Sequence, residues 1–453
     1  MNFDLAVIGG GPGGYTAADC AAKEGLSVVL FEAAEVGGTC LNRGCIPTKA
    51  LIHAAEEYRK MKESDVFGLS VQSVGFDFEK IHERKNEVVT KLRSGIEKLM
   101  KADKVTVVNA KAAVRSYDAD GAVVTALGGD YRVRDVIIAT GSVPSVPPIK
   151  GSDIEGVLTS NELLEGSGRS FSSLIVIGGG VIGCECTSIY LDLGCKVTVL
   201  EAMEHILPPM DKEIAQRLNM FLKKRGAEIN VSAKVTEISG SDGDFTVTYV
   251  NKKGETCEAG AEAVLIATGR RANTEGLFLC EAPKTERGAI VAGENGRTDA
   301  PHIYVIGDAV AGNIQLAHVA SAQARNTVAA IAGKEPAVDM SVVPSCVYTS
   351  PEIASVGMTE DEAKSRGINV KTAKCLTGAN GKCLIENAES GYIKTVTDAD
   401  TGKFLGAQLV CPRATDMVSE FALALSKGMK TEEIAAVIHP HPTFSEMIAE
   451  ACL

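Results

Sequence analysis

Ala6-Val7-Ile8-Gly9-Gly10-Gly11-Pro12-Gly13-Gly14, with Ser27-Val28-Val29-Leu30-Phe31-Glu32 after it, reads as a strand, a tight turn, a helix and a second strand. The uninterrupted apolar run predicts a parallel strand buried on both faces. Gly9 allows the turn, Gly11 lets a pyrophosphate approach the backbone, and Gly14 lets the helix pack on the strand. Free N–H groups and the positive end of the helix dipole then face the anion. Glu32 ends the second strand, where a ribose hydroxyl can donate to it.

The same unit returns as Ile175-Val176-Ile177-Gly178-Gly179-Gly180-Val181-Ile182-Gly183, followed by Lys196-Val197-Thr198-Val199-Leu200-Glu201. Gly9 to Glu32 and Gly178 to Glu201 each span 23 positions. One such turn is weak evidence. Two, each with a strand before it and a correctly spaced Glu after it, predict two dinucleotide sites, most simply for a flavin dinucleotide and a nicotinamide dinucleotide. A second echo joins Val136-Ile137-Ile138-Ala139-Thr140-Gly141-Ser142 to Val264-Leu265-Ile266-Ala267-Thr268-Gly269-Arg270. Each looks like the chain returning to its sheet after an excursion. Ile303-Tyr304-Val305-Ile306-Gly307-Asp308 is a further buried strand, with an Asp at the carboxyl end where open α/β sheets bind ligands.

Between these landmarks, residues 50–66 and 79–101 carry apolar residues at helical spacing, and 104–135 read as a small antiparallel excursion. From about residue 340 the pattern changes. Strands near 343–349, 353–357, 391–398 and 404–411 alternate with helices near 359–366, 414–427 and 431–437. The expected fold is therefore α/β, two Rossmann-like dinucleotide-binding domains followed by a separate α+β domain.

The 453 residues suffice for two to four domains with full cores. A net charge of −12 argues against nucleic acid, which needs a basic surface. No apolar run approaches the roughly 20 residues that span a bilayer, so no membrane segment is expected. The glycine turn begins so early that no secretory signal fits before it, and a cytoplasmic location is expected. Thirteen cysteines, mostly single and in apolar surroundings, fit buried thiols in a reducing compartment. Cys184 and Cys186 lack the partner pair that a zinc site requires, so no metal is expected. A penultimate thiol such as Cys452 is more often incidental than reactive.

Two segments carry chemistry. In Gly37-Gly38-Thr39-Cys40-Leu41-Asn42-Arg43-Gly44-Cys45-Ile46-Pro47-Thr48-Lys49, two thiols five positions apart suggest a disulfide that is made and broken. A regular helix would separate them by about 7.5 Å, beyond the roughly 4.4–6.8 Å between Cα atoms of most disulfides. The backbone must therefore bend, and Gly44 permits it. Pro47 suits a first helical turn, and a helix amino terminus lowers a thiol's pKa. Lys49, four residues after Cys45, shares its helix face, and Glu185 is a plausible partner for it. The second segment is His439-Pro440-His441-Pro442-Thr443-Phe444-Ser445-Glu446. A histidine held between prolines beside a carboxylate makes a reasonable general base, although a plain surface turn is an equal reading.

Taken together, these residues resemble the flavoprotein disulfide reductases, over essentially the whole chain. The two chemistry-bearing segments look like the branch of that family that oxidises dihydrolipoyl groups with NAD+. The resemblance implies an FAD-binding domain over 1–145 continued by 264–338, an NAD-binding domain over 146–263, and a dimerisation domain over 339–453. It implies that Gly9, Gly11, Gly14 and Glu32 hold the adenosine half of FAD. Lys49, Thr140, Gly141, Ser142 and Asp308 would line the flavin, with Gln315, Leu316, Ala317 and His318 closing over its ring. Gly178, Gly180, Gly183, Glu185 and Glu201 would shape the nicotinamide site, with Val235 and Gly269 nearby. Cys40 would meet the substrate and Cys45 the flavin. His441 and Glu446 would complete the site of the other subunit in a homodimer. The partner would be a lipoyl-bearing carrier protein of a 2-oxo-acid dehydrogenase or glycine-cleavage assembly.

Glu201 would repel a 2′-phosphate, and Ala202-Met203-Glu204-His205 offers no arginine for one, which favours NAD over NADP. Two alternatives stay open. One is an NADPH-dependent reductase of a small disulfide such as glutathione, and the other is a mainly structural subunit of a larger complex. The chain departs from the family pattern at Arg43, at Ala272, and at Ser321, Ala322 and Gln323.

Overall fold

The computed structural model describes residues 2–165 and 169–453. The strand Asn2–Ile8 lies between Val28–Glu32 and the long strand Gly129–Ile138, parallel to both. Ile8 is level with Phe31, so Gly9 leaves the sheet beside Glu32. Ile303–Val305 adds a parallel strand on the far side of Gly129–Ile138. The first half of Gly129–Ile138 pairs antiparallel with Gly121–Ala126, which pairs with Ala113–Asp118. That antiparallel excursion begins later than the sequence pattern suggests. Thr106–Asn109 belongs to the parallel sheet as an edge strand on Val28–Glu32. Its residues are mostly exposed, so it lacks the continuous apolar run of its neighbours.

The second glycine motif builds a separate five-stranded parallel sheet, ordered Glu228–Val231, Lys196–Glu201, Ser173–Ile177, Ala263–Ile266 and Val157–Thr159. Ile177 is level with Leu200, which repeats the register of the first unit and sets Gly178 beside Glu201. Leu5, Ala6 and Val7 in one sheet and Ile175 and Val176 in the other are fully buried. Each larger apolar side chain so buried contributes about 1.5–3 kcal/mol relative to exposure. A three-stranded meander, Lys234–Ser241, Asp244–Val250 and Thr256–Ala261, packs against this second sheet. Ser142–Pro144 and Arg270–Ala272 pair antiparallel where the two units meet.

From Ser345 onward the chain forms a five-stranded antiparallel sheet. Its order is Ser345–Val347, Ile353–Gly357, Phe404–Val410, Tyr392–Asp398 and Val370–Leu376. Helix Ala414–Ser426 packs on it through Phe421, whose ring stacks 5.5 Å from that of Phe404. Val370–Leu376 has no counterpart in the sequence reading. It is an edge strand with a mixed burial pattern, so the alternation that marks a strand is weak there. Among the described residues, no helix is long and apolar enough to cross a membrane.

Candidate active site

The two glycine turns share one backbone conformation and one bracing pattern. Gly9 and Gly178 adopt φ of +105° and +108°, a region that favours glycine. The helices Pro12–Lys23 and Val181–Asp192 start from Gly11 and Gly180 as N-caps. A Cβ on Gly14 would lie 1.7 Å from the Gly9 carbonyl oxygen, and one on Gly183 would lie 2.0 Å from that of Gly178. Those third glycines therefore sit behind the turns and close helix onto strand. A Cβ on Gly180 meets nothing, and on Gly11 only Gly38 Cα at 3.9 Å, so both N-caps open on free space.

The carboxylates that follow brace these turns. Glu32 Oε2 accepts from Gly10 N–H at 2.7 Å and its Oε1 from Ala34 N–H at 2.8 Å. Glu201 Oε2 accepts from Gly179 N–H and its Oε1 from Met203 N–H, both at 2.6 Å. Each carboxylate oxygen keeps a further lone pair for a ribose hydroxyl.

Both turns open on one cleft of about 1720 Å³. Besides the two turns and their carboxylates, Thr140, Gly141, Ser142, Asp308, Val235 and Gly269 line it. So do Gln315, Leu316, Ala317 and His318, at the start of helix Ala317–Ile331, where unpaired N–H groups gather. Buried Thr140 Oγ1 has no hydrogen-bond partner among the described residues. Two N-caps open to an anion, two braced carboxylates and a buried hydroxyl awaiting a partner suit a pair of dinucleotides. Gly14 and Gly183 do not line the cleft.

The dithiol segment folds as two helices broken at one residue. Helix Gly38–Arg43 stops at Gly44, whose φ and ψ of −141° and −111° are not helical, and helix Cys45–Lys62 begins directly after it. The break swings Cys45 back toward Cys40, and both thiols are free and line the cleft. They lie close enough to hydrogen-bond. Cys40 holds its proton, its pKa raised first by donating to Cys45 and then by burial. Cys45 drops to about 7 because it accepts that bond and because Lys49 stands near it, against the opposing effect of burial. Cys45 counts as exposed because its surface faces the open cleft.

Lys49 Nζ bonds both oxygens of Glu185, at 2.9 and 2.8 Å. Glu185 is buried on helix Val181–Asp192, so the pair joins the dithiol helix to the helix of the second glycine motif. Ser142 Oγ donates to Asp308 Oδ2 at 2.6 Å and accepts from Arg270 Nε at 2.8 Å. The sequence reading did not single out Arg270 as a site residue. The signal was present, because Ser142 and Arg270 hold equivalent places after the two Ala-Thr-Gly echoes. Tyr348, also in the cleft, had no such signal. Arg43 is an ion-pair partner of Glu35 and Glu165, both at 3.0 Å. Gln323 Oε1 accepts from Gly307 N–H at 2.7 Å and so braces the turn that carries Asp308.

His441 and Glu446 do not line this cleft within the chain. His441 Nδ1 lies 2.8 Å from Glu446 Oε1, and Thr443 N–H donates to Glu446 Oε2 at 2.9 Å. Those contacts, the Thr443 bond first, hold the Glu446 carboxyl below its ordinary range. The His441 side chain is 78% exposed, so its other ring nitrogen is free to meet something outside the chain. The His441–Pro442 bond is cis. Cys452 is buried in the core of the C-terminal unit, and burial pushes its thiol up to about 12.

Comparison with known proteins adds three findings. The family model described as pyridine nucleotide-disulphide oxidoreductase matches residues 3–324, and its dimerisation domain matches 343–452. A dihydrolipoyl dehydrogenase of Bacillus subtilis is 42% identical over all of this chain and 97% of its own, and one of Geobacillus stearothermophilus is 41% identical over 100% and 96%. Among solved structures, the HOCl-induced flavoprotein disulfide reductase RclA from Escherichia coli superposes with a TM-score of 0.87 at 29% identity, covering 99% of both chains. LpdA from Mycobacterium tuberculosis superposes with a TM-score of 0.90 at 25% identity, again covering 99% of each.

Proposed function

Because the chain belongs to the pyridine nucleotide-disulphide oxidoreductase family, we propose that it acts as a dihydrolipoyl dehydrogenase, passing an electron pair from a protein-bound dihydrolipoyl dithiol to NAD+. It is a homodimeric flavoprotein that works with FAD and NAD(H). The observation that carries the substrate reading is the Cys40–Cys45 dithiol, set beside the Lys49–Glu185 pair in a cleft that both glycine turns share.

In the proposed reaction Cys40 and Cys45 start as a disulfide. His441 of the partner subunit takes a proton from one substrate thiol, and that thiolate attacks Cys40 Sγ. The Cys40–Cys45 bond breaks, and Cys45, the sulfur with the lower pKa, leaves as a thiolate. The second substrate sulfur then displaces Cys40, releasing the lipoyl disulfide and a reduced dithiol. When bound, FAD would supply the redox chemistry that carries that electron pair on to NAD+, and the Cys40–Cys45 disulfide would re-form. Lys49 steadies the Cys45 thiolate throughout, and Glu185 holds Lys49.

In this reading residues 1–145 and 264–338 hold FAD and 146–263 hold NAD. Gly9, Gly11, Glu32, Thr140, Ser142 and Asp308 serve the flavin dinucleotide, and Gly178, Gly180, Glu201 and Val235 the nicotinamide dinucleotide. The carrier bearing the lipoyl group is a separate protein, and the compartment is the cytoplasm, where the eleven cysteines other than Cys40 and Cys45 stay reduced. The test is a rate comparison on the purified yellow dimer. Dihydrolipoamide with NAD+ turns over fast, and NADPH with oxidised glutathione hardly at all. The reverse order would end this assignment.

A further inference from the structure

Ser345, Cys346 and Tyr348 of the C-terminal unit line the cleft, and Tyr348 makes the direct contacts to the Lys49–Glu185 pair. Tyr348 directly follows strand Ser345–Val347 and lines the cleft. Its backbone N–H donates to Glu185 Oε1 at 3.0 Å, the oxygen that also accepts from Lys49. Its ring lies under the same lysine, with Lys49 Nζ 4.5 Å from the centroid. Two residues on, Ser350 Oγ accepts from Arg59 Nη2 at 2.9 Å, and Arg59 Nε donates to Asp192 Oδ2 at 3.3 Å. Lys49 and Arg59 share helix Cys45–Lys62, and Glu185 and Asp192 share helix Val181–Asp192. Residues 348–350 thus touch helix Cys45–Lys62 at Lys49 and Arg59 and helix Val181–Asp192 at Glu185, and Arg59 carries the contact on to Asp192.

A lysine ends a flexible four-carbon stem and is strongly hydrated. The Lys49 side chain retains 29% exposure, so Glu185 alone leaves water free to draw the ammonium away. The ring of Tyr348 covers one side of the ammonium, leaving only that 29% open, and attracts the charge through its quadrupole. The charged and titratable groups that act on Cys45 are Cys40, Lys49, Glu185 and Arg270. Lys49 and Glu185 are the two among them that Tyr348 touches, one through its ring and the other through its backbone N–H.

We propose that Tyr348 is a positioning residue for the redox dithiol: its ring and backbone N–H hold Lys49 against Glu185, so that the seating of the C-terminal unit governs how readily Cys45 stands as a thiolate. The proposal rests on the reading of Cys40 and Cys45 as the redox pair.

The test uses FAD-loaded dimer reduced with NADH, with iodoacetamide alkylation of the dithiol followed against pH and the modified cysteine identified by peptide mass. Position 348 carries tyrosine, phenylalanine, a series of increasingly fluorinated phenylalanines, or leucine. The fluorinated rings keep their shape while the quadrupole fades, so folding and flavin content stay constant even if Tyr348→Leu loses its flavin. Tyr348→Phe leaves the thiolate midpoint unchanged. Fluorination raises it stepwise by about half a unit to one unit, which slows alkylation at pH 7 by roughly two- to sixfold from a midpoint near 7. A flat or falling series, or a Tyr348→Phe shift as large as that of the most fluorinated ring, overturns the proposal. A wild-type enzyme whose cysteines titrate like free thiols would instead defeat the redox-pair reading, and shows it before any variant is made.

Discussion

Replacing Glu201 by glutamine removes one charge and one acceptor from the second glycine turn without changing its shape. In the native chain both carboxylate oxygens are used, each at 2.6 Å from a backbone N–H, and the side chain is 6% exposed. An amide has one oxygen. Its NH2 edge must then face either Gly179 N–H or Met203 N–H, donor against donor, and an unpaired buried N–H costs about 1–3 kcal/mol. A ribose hydroxyl loses a charged acceptor as well, worth about 1.5–3 kcal/mol, which corresponds to a 10- to 150-fold weaker Kd for NADH. The first turn is braced by Glu32 instead, so flavin content stays at the wild-type level. Removing the negative charge also lessens repulsion of a 2′-phosphate, so the preference for NADH over NADPH narrows. The assay is calorimetric titration of the FAD-loaded dimer with each nucleotide, beside its flavin absorbance. An NADH Kd within twofold of wild type, with full flavin, would refute the reasoning.

Four further outcomes follow from the same geometry. Substituting His441→Gln slows dithiol oxidation by at least a hundredfold while NADH-driven reduction of an artificial dye is unchanged. A mixed dimer of Cys40→Ser and His441→Gln subunits recovers activity from its one intact site, and a mixed dimer as dead as its parents would disprove the cross-subunit arrangement. Alkylation of the reduced dithiol rises with pH through a midpoint near 7, because Cys45 loses its proton there, and a midpoint near 9 would contradict the hydrogen bond from Cys40. Gly183→Ala places a Cβ 2.0 Å from the Gly178 oxygen and forces the turn open. It raises the KM for NAD+ at least tenfold with flavin content intact, and equal loss of both nucleotides would count against separate sites.

What the sequence disclosed was local. Gly9, Gly14 and Glu32 sit in a turn whose demands are met within one unit of the chain, so spacing and residue type were enough to find it and its repeat. The bend at Gly44 was legible for the same reason, since two thiols five positions apart cannot meet across an unbroken helix. Exposed edge strands were not. Thr106–Asn109 and Val370–Leu376 show weak alternation, and the partner of Thr106–Asn109 is distant in the chain. Tyr348 left no trace either. Its contacts to Lys49 and Glu185 span hundreds and scores of positions and depend on how a third sheet is seated.

That seating is itself specified by buried charge. Lys394, in a central strand of the C-terminal sheet and 4% exposed, lies 3.2 Å from Asp211 Oδ2 and 3.3 Å from Glu213 Oε2, at the start of helix Lys212–Lys224 of the second unit. Glu360 adds a third carboxylate at 3.6 Å. Burying an ion pair offers little net stability over an apolar contact, but a buried lysine without its carboxylates is costly. A sheet that slid by one residue would strand that charge, whereas an apolar contact would tolerate the slip. The arrangement therefore favours one docking of the C-terminal unit over its neighbours. Tyr348 sits at the other end of that same docked surface, over Lys49. Geometry that an apolar interface could leave loose is thus held at both ends, by ion pairs at Lys394 and by an amide and a ring at the dithiol.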